Sequence, residues 1–522
     1  MHYVSCVQAI AHVGPTNSGK THDALEHLSK QGRGVYAAPL RMLAQEAYWS
    51  LVDKNGADAI SLVTGEEKIN EGAPIVCCTA EMAPRSGELL LLDEVQWAID
   101  PERGSAWTSL LLEKRYQEYR LMGSLDAVPL IRSAFPEAEV RFHDRLAPLD
   151  WVGTVAWKEL QPKTAIIAFS RRNVLWLAGL LARSYSSADV SVLYGAMPPD
   201  SRRAQIKRFI DGEAKFIVST DVIGHGINMP AQTVLFAETE KFNGYERVQL
   251  APWEAAQIAG RAGRYGMHDG AHGQVGVLIA PEAYLTPFQK TIRRGMSPKV
   301  DIGDGKKGFR SVEFGYLRPR LGELEVSDNN LFFDALKKWE KRARKRQPGW
   351  VRIEKTGLMR QRLQLVRQAL GGDLNQLDQT TIWKLARAPV DPDSDQTDTL
   401  VKLTRCLDKP EQPYIYANLL PDRKLLGRLE AEDVEAMGRR VQLLLWFMQS
   451  FPGQAPWEID EVREAEEAVS KRLLALIKEE LKHPTIGRCQ ECGTQIAPWF
   501  RDCYSCHFGG GRYWDEDDWD DF

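Results

Sequence analysis

Eight residues, Gly14-Pro15-Thr16-Asn17-Ser18-Gly19-Lys20-Thr21, follow directly on a short apolar stretch and restrict what this chain can fold into more than any other feature. A Gly-x-x-x-x-Gly-Lys-Thr run turns successive backbone N–H groups inward and then opens a helix, whose N-terminus favours anions. The run therefore belongs between a strand and a helix, where it can wrap the β-phosphate of a nucleotide. Lys20 is placed for the β- and γ-phosphates, and Thr21 for magnesium. The loop alone says only that a nucleoside triphosphate is bound, since kinases, GTPases, transporters and nucleic-acid motors share it.

From Val4 to about Ser124, short apolar or β-branched runs alternate with helical stretches: 34–38, 59–63, 74–79, 89–92 and 119–122 read as strands. That alternation predicts a mostly parallel sheet with helices on both faces. Ligands of such sheets bind beyond the carboxyl ends of the strands, where the Gly14 loop lies. The run Leu89-Leu90-Leu91-Leu92 ends in Asp93-Glu94-Val95-Gln96, the form expected of a buried strand that delivers two carboxylates to the nucleotide. Asp93 is expected to hold magnesium and Glu94 to orient and deprotonate the attacking water. The alternative is a surface acidic pair at a strand end.

Gly14 to Thr21 together with Asp93-Glu94-Val95-Gln96 resembles the DExH group of superfamily-two helicases, and the Gln96 variant is most similar to the Suv-type (suppressor of var) RNA helicases of the Ski-two-like neighbourhood. Ala38-Pro39-Leu40-Arg41-Met42-Leu43-Ala44-Gln45-Glu46, Val63-Thr64-Gly65-Glu66-Glu67 and Thr79-Ala80-Glu81-Met82 are similar to that family's strand-gripping motifs. The resemblance implies that Arg41, Thr64 and Thr79 lie along a nucleic-acid backbone and make contacts that ignore sequence. The family's Ser-Ala-Thr element is replaced by Leu121-Met122-Gly123-Ser124, which leaves open which residue couples the lobes there. Few residues precede Gly14, so no adenine-reading Gln motif is expected and base selectivity is expected to be loose.

A second αβ series follows Pro148, with strands at 164–169, 190–193, 215–218, 233–237 and 273–279 and no second phosphate loop. That asymmetry fits two RecA-like lobes that share one nucleotide. Phe169-Ser170-Arg171-Arg172, Tyr194 to Pro199 with Arg202-Arg203, and Ser219-Thr220-Asp221-Val222-Ile223-Gly224-His225-Gly226-Ile227-Asn228 resemble the family's second-lobe motifs. The resemblance puts Ser170, Arg171, Ser219 and Thr220 on the nucleic acid, Asp221 in the relay of nucleotide state and Gly226 at the nucleotide. In Gln257-Ile258-Ala259-Gly260-Arg261-Ala262-Gly263-Arg264-Tyr265-Gly266, helical spacing would bring Gln257, Arg261 and Arg264 onto one face. Two guanidiniums aimed at a γ-phosphate suit a phosphoryl transfer in which charge spreads over equatorial oxygens.

Beyond about Lys306 amphipathic helices dominate, at 331–346, 359–370, 434–450 and 461–481, and Lys337 to Arg346 is the most basic stretch. Such a helix is either a solvated face or an RNA contact. By resemblance, carried partly by Trp383 to Val390, this region arches over the lobes and closes a tunnel for single-stranded RNA. Then come two Cys-x-x-Cys pairs, Cys489 with Cys492 and Cys503 with Cys506. Four thiolates at that spacing suit a closed tetrahedral zinc site, with His507 as a substitute ligand and a redox dithiol as the alternative. The other four cysteines read as packing residues.

With 522 residues the chain suggests about three or four domains. The expected division is a nucleotide-binding lobe at 1–150, a second lobe at 151–305, a helical domain at 306–485, a zinc ribbon at 486–512 and an acidic tail at 513–522. The net charge of -4 does not advertise a polyanion partner, but the acidic tail can balance a basic groove. Without a leader-like N-terminus or a membrane-length apolar run, the expectation is a cytoplasmic protein with reduced thiols.

The expected fold is thus α/β: two tandem RecA-like lobes with parallel sheets, then an α-helical domain and a small zinc ribbon. The expected activity is ATP-dependent RNA unwinding with ATP, magnesium and zinc bound, 3′ to 5′ by resemblance, and with a nuclease or RNA-processing partner docking on the C-terminal region. The rivals are a DNA helicase or translocase and a nucleotide-switched RNA clamp. A GTPase is disfavoured, because no Asn-Lys-x-Asp motif is found.

Overall fold

The computed structural model describes all residues except 1–6, 16, 66, 101–102, 147, 225–230, 239, 243–246, 251, 264–271, 280–311, 355, 410–418, 483–486, 489, 491–492, 494 and 497–522. Thr16, Gly226, Arg264, Cys489, Cys492, Cys503 and Cys506 therefore lie outside the described residues.

The first lobe is an eight-stranded sheet in the order β4-β3-β5-β2-β6-β7-β1-β8. These strands are β1 (Gln8–Val13), β2 (Gly34–Ala38), β3 (Ile60–Val63), β4 (Lys68–Ile69), β5 (Ile75–Thr79), β6 (Gly87–Leu92), β7 (Tyr116–Gly123) and β8 (Glu139–Phe142). Only β4 pairs antiparallel, on the edge beside β3. β6 is central, and Leu89 through Leu92 are fully buried on both faces, which is why the strand reads as an unbroken apolar run instead of alternating. Helices α1 (Lys20–Gln31) and α2 (Arg41–Asn55) cover the sheet, and α1 starts where the phosphate loop ends.

The second lobe is a six-stranded parallel sheet in the order β11-β12-β10-β13-β16-β9. Its strands are β9 (Leu149–Ala156), β10 (Thr164–Ile167), β11 (Val190–Leu193), β12 (Phe216–Ser219), β13 (Thr233–Phe236) and β16 (Gly273–Ile279), with a separate hairpin of β14 (Glu240–Phe242) and β15 (Arg247–Gln249). β9 pairs with β16 and starts at Leu149, so the strand that opens the second lobe crosses the boundary expected at 150. Its mixed exposure hid it from a reading based on apolar runs.

The helical region meets the two lobes differently. Helices Ala431–Ser450 and Ile459–Lys482 pair with each other, and the latter packs on α5 (Arg171–Ser184) and α6 (Pro199–Ile210) of the second lobe. One apolar core runs from Ile166, Val192 and Leu235 of that lobe into Leu443, Leu444 and Leu473. Against the first lobe, strand Gly315–Leu317 lies on α3 (Ser105–Glu113), Arg318 N–H donates to Ser105 Oγ at 2.9 Å, and Arg320 pairs with Glu113. No helix among the described residues is long and apolar enough to cross a membrane.

Candidate nucleotide site and nucleic-acid path

The phosphate loop leaves β1 at Val13 and enters α1 at Lys20. Gly14 N–H donates to Gly123 O at 3.1 Å, and a Cβ on Gly14 would stand 2.4 Å from His143 O, so no side chain fits there. Asn17 holds φ at 62°, and buried Ser18 Oγ has no hydrogen-bond partner. The Lys20 ammonium reaches back to Gly14 O at 3.3 Å and Pro15 O at 3.1 Å. A loop with an orphaned buried hydroxyl, inward carbonyls already met by a cation and no room for a Cβ suits an anion with many acceptor oxygens.

Asp93 lies 3% exposed at the end of β6. Its Oδ2 accepts from Tyr36 OH at 2.8 Å and Thr21 Oγ1 at 3.3 Å, and its Oδ1 accepts from Glu94 N–H at 2.9 Å. Trp107 Nε1–H donates to its carbonyl at 2.9 Å. Burial, followed by the neighbouring Glu94 charge, pushes the Asp93 carboxyl up to about 6, while Lys20 and the Tyr36 hydroxyl pull the other way. Thr21 and Asp93 thus face one point, as two hard oxygen ligands of magnesium should. Glu94 sits in the left-handed region at φ 49°, a backbone conformation that turns its side chain away from the strand direction. Gln96 Nε2 donates to Glu94 Oε2, and Gln96 Oε1 accepts from Ser124 N–H at 3.1 Å. The residue that sequence treated only as a family marker therefore fixes Glu94 and ties it to the Leu121–Ser124 element. Nothing in the sequence announced the roles of Tyr36 or Trp107, which come from neighbouring elements.

The second lobe reaches this loop through a turn. α7 (Pro252–Ala259) ends before Arg261, so the expected single helical face for Gln257, Arg261 and Arg264 is corrected: Gln257 lies on the helix, while Arg261 lies in the turn Gly260–Gly263. The helix stops at Ala259, and the tighter bonds beyond it, Arg261 N–H to Ile258 O and Ala262 N–H to Ala259 O at 3.0 Å each, turn the chain so that Gly263 N–H donates to Ala231 O at 2.9 Å. Arg261 is 2% exposed there. Asn17 Nδ2–H donates across the cleft to Gly263 O at 3.3 Å.

The residues expected on nucleic acid divide into two groups. Arg41, at the start of α2, is surrounded by Arg202 and Arg203 from the other lobe and by Glu466 from the helical region, and burial together with the two like charges lowers its pKa. Ser170, Arg171 and Thr220 line one cleft of about 330 Å³ with Tyr194, Gly195 and Asp221. Within it, however, Arg171 is held by Glu435 at 2.6 Å, and Tyr194 OH donates to the same carboxylate at 2.7 Å. Ser170 Oγ caps α5 by accepting from Asn173 N–H at 3.1 Å. Ser219 departs from expectation, because it is fully buried at the end of central strand β12 and its hydroxyl donates to Thr220 O at 2.9 Å, away from any solvent-borne phosphate. Thr64 Oγ1 is engaged by Glu67 N–H at 3.0 Å, and Thr79 is buried ahead of the turn Ala80–Met82.

Two RecA-like lobes, one phosphate loop and an arginine-bearing turn across the cleft define a P-loop NTPase of the superfamily-two helicase class. Residues 6–143 match the family described as the DEXQ-box helicase domain of Suv3, and residues 149–266 match the helicase conserved C-terminal domain. Residues 6–143 are thus similar to the Suv3-type DEXQ-box helicase domain, with Gln96 as the last letter of the box. The chain is 33% identical over 313 residues to the mitochondrial ATP-dependent RNA helicase SUV3 of Saccharomyces cerevisiae, which is 56% of this chain and 41% of that protein. It is 36% identical over 271 residues to the mitochondrial DExH-box ATP-dependent RNA helicase DExH18 of Arabidopsis thaliana, 49% and 34% of the two chains. With the mitochondrial ATP-dependent RNA helicase SUPV3L1 of Mus musculus it shares 36% identity over 282 residues, 50% and 35% of the two chains. The matched part is thus well under half of each of these relatives.

The cytoplasmic expectation is corrected by these relatives, all of which are named as mitochondrial proteins. An organelle address is a separate receptor-read segment, so the helicase motifs carry no information about it.

Proposed function

We propose that the protein is an ATP-dependent RNA helicase that steps 3′ to 5′ along single-stranded RNA and separates duplexes in RNA processing or decay. The observation that carries this reading is the meeting of both lobes at one loop: Lys20, Thr21, Asp93 and Glu94 on one side, and the Arg261 turn hydrogen-bonded to Asn17 on the other. The relatives' printed names support ATP as the fuel and RNA as the track.

In this mechanism the loop N–H groups and Lys20 hold the triphosphate, and Ser18 Oγ gains the partner it lacks in the free loop. Thr21 and Asp93 would hold a magnesium ion, which would neutralise charge on the phosphates. Glu94, steadied by Gln96, takes the proton of the attacking water. Arg261, and Arg264 by the motif alone, would stabilise the charge that develops on the transferred phosphoryl group. Release of product frees the turn from Asn17, and the lobes part. Arg41 on one lobe and Ser170 with Thr220 on the other then grip successive phosphates in alternation. The helical region, which shares one core with the second lobe and meets the first through Val312 in that lobe's core and through polar contacts, closes the RNA path and offers the face for a nuclease or processing partner.

We also infer a zinc ribbon at 486–512, whose support is the cysteine spacing and the antiparallel pairing of Gly487–Arg488 with Gln495–Ile496 on either side of the first Cys-x-x-Cys.

The deciding experiment compares unwinding of matched duplexes with a 3′ RNA, 5′ RNA or 3′ DNA overhang, for the wild type and Glu94→Gln. Opening of only the 3′ RNA-tailed duplex, lost in Glu94→Gln while RNA binding persists, supports the reading. Equal opening of the DNA-tailed duplex makes the protein a DNA translocase, and ATP turnover without opening makes it a clamp.

A further inference from the structure

The lobes are joined by the short connector between β8 and β9, and three of its residues are committed in three directions. His143 N–H donates to Val13 O at 2.8 Å, and its carbonyl lies against Gly14, at the root of the phosphate loop. Leu146 N–H donates to Asn17 O at 2.9 Å, within that loop. Between them, Arg145 points into the second lobe, where Nη1–H donates to Gly260 O at 3.1 Å and Nη2–H donates to Ala262 O.

These two carbonyls flank Arg261. The first of them, Gly260 O, stands at the end of α7, where a helix C-terminus leaves acceptors without partners and its dipole favours a cation. The third carbonyl of the turn, Gly263 O, is taken by Asn17. The turn that carries Arg261 is therefore held from outside its own lobe by a guanidinium and an amide, in addition to the Gly263 N–H bond to Ala231 O at 2.9 Å within it. A planar fork with two parallel donors can bridge two carbonyls at fixed separation, which a lysine ammonium cannot do with the same geometry.

We propose that Arg145 is a positioning residue for ATP hydrolysis, which sets the Gly260–Gly263 turn, and with it Arg261, against the phosphate loop through the interlobe connector. The inference rests on the reading of this site as an ATPase. Nucleotide binding, a property of the first lobe, is independent of Arg145, while turnover depends on it. A displacement of about 1 Å in a group that acts on the transition state costs on the order of 100-fold in rate.

The experiment measures RNA-stimulated ATP turnover, affinity for a fluorescent ATP analogue and thermal melting for the wild type, Arg145→Gln, Arg145→Lys, Arg261→Gln and the double variant Arg145→Gln/Arg261→Gln. The expected result is a kcat lower by roughly 10- to 100-fold in Arg145→Gln, with analogue affinity and melting temperature at wild-type values, and a smaller loss in Arg145→Lys. The double variant should be no slower than Arg261→Gln alone, because Arg145 acts only through Arg261. Wild-type kcat in Arg145→Gln overturns the proposal, as do losses that add to those of Arg261→Gln or that track a fall in melting temperature. Should Arg145→Gln not fold, Arg145→Lys decides, and a wild-type kcat there refutes the bridging role. Failure of the ATPase reading has a different signature, an absence of Glu94-dependent turnover in the wild type itself.

Discussion

The two sides of the nucleotide cleft are built on opposite terms. On the first lobe, Asp93 is held by Tyr36, Thr21 and the Glu94 N–H, and Glu94 by Gln96, all of them partners within that lobe. On the second lobe, the turn that carries Arg261 spends the carbonyls of Gly260, Ala262 and Gly263 on Arg145 and Asn17, which lie outside it. One half is preorganised from within, whereas the other is tied both to its own lobe, by Gly263 N–H to Ala231 O at 2.9 Å, and across the junction. Binding should therefore report on the first lobe, and turnover on the junction.

Glu94→Gln gives the largest expected effect, a loss of turnover of about 10³-fold with nucleotide affinity unchanged, because it removes the proposed base and keeps every proposed binding group. Comparable loss of binding in that variant would break the division between binding and turnover. Lys20→Ala should show the converse, weakening the affinity for a fluorescent ATP analogue by at least about tenfold through loss of a charge-assisted contact. Gly14→Ala tests how rigid the preorganised half is. Its Cβ would meet backbone at 2.4 Å, and a destabilisation of about 1–3 kcal/mol, read as a lower melting temperature, is expected.

The smallest effect concerns protons. Burial raises the folded Asp93 carboxyl to about 6, so its ionisation opposes folding increasingly as the pH climbs from the ordinary carboxylate range through that value. Below about pH 6 the free protein carries Asp93 protonated, and magnesium-dependent nucleotide binding should weaken. The Tyr36 hydroxyl favours the ionised form, so Tyr36→Phe should move this acidic limb to higher pH, by less than about one unit for one hydrogen bond. A limb that moves to lower pH, measured by analogue binding between pH 5 and 8, would show that Tyr36 acts in some other way.

What the sequence showed well were features in which chemistry and local geometry coincide. The Gly14–Thr21 loop, the leucine run with Asp93-Glu94 at its end, the parallel order of both sheets and the four long helices beyond Lys306 all follow from residue type and period. It misread places where a fold-level contact overrules the local pattern. Gln257, Arg261 and Arg264 have helical spacing, yet the helix stops at Ala259 and the residues after it turn to bond Ala231 of a neighbouring segment. Ser219 has the composition of a phosphate contact, but a central strand buries it. Arg171 is expected on nucleic acid by resemblance, and a carboxylate 264 residues away pairs with it.

By itself, then, the sequence determined the phosphate-loop turn between strand and helix, the acid pair at a buried strand end and the two successive parallel-sheet lobes, because these are written in consecutive residues. Tertiary structure alone decided which groups hold those acids still, through Tyr36, Trp107 and Gln96, and how the Arg261 turn is anchored across the cleft, through Asn17 and Arg145. Such contacts are made between segments separated by up to 246 residues. They depend on where two sheets come to lie, and no periodicity in a single segment records that.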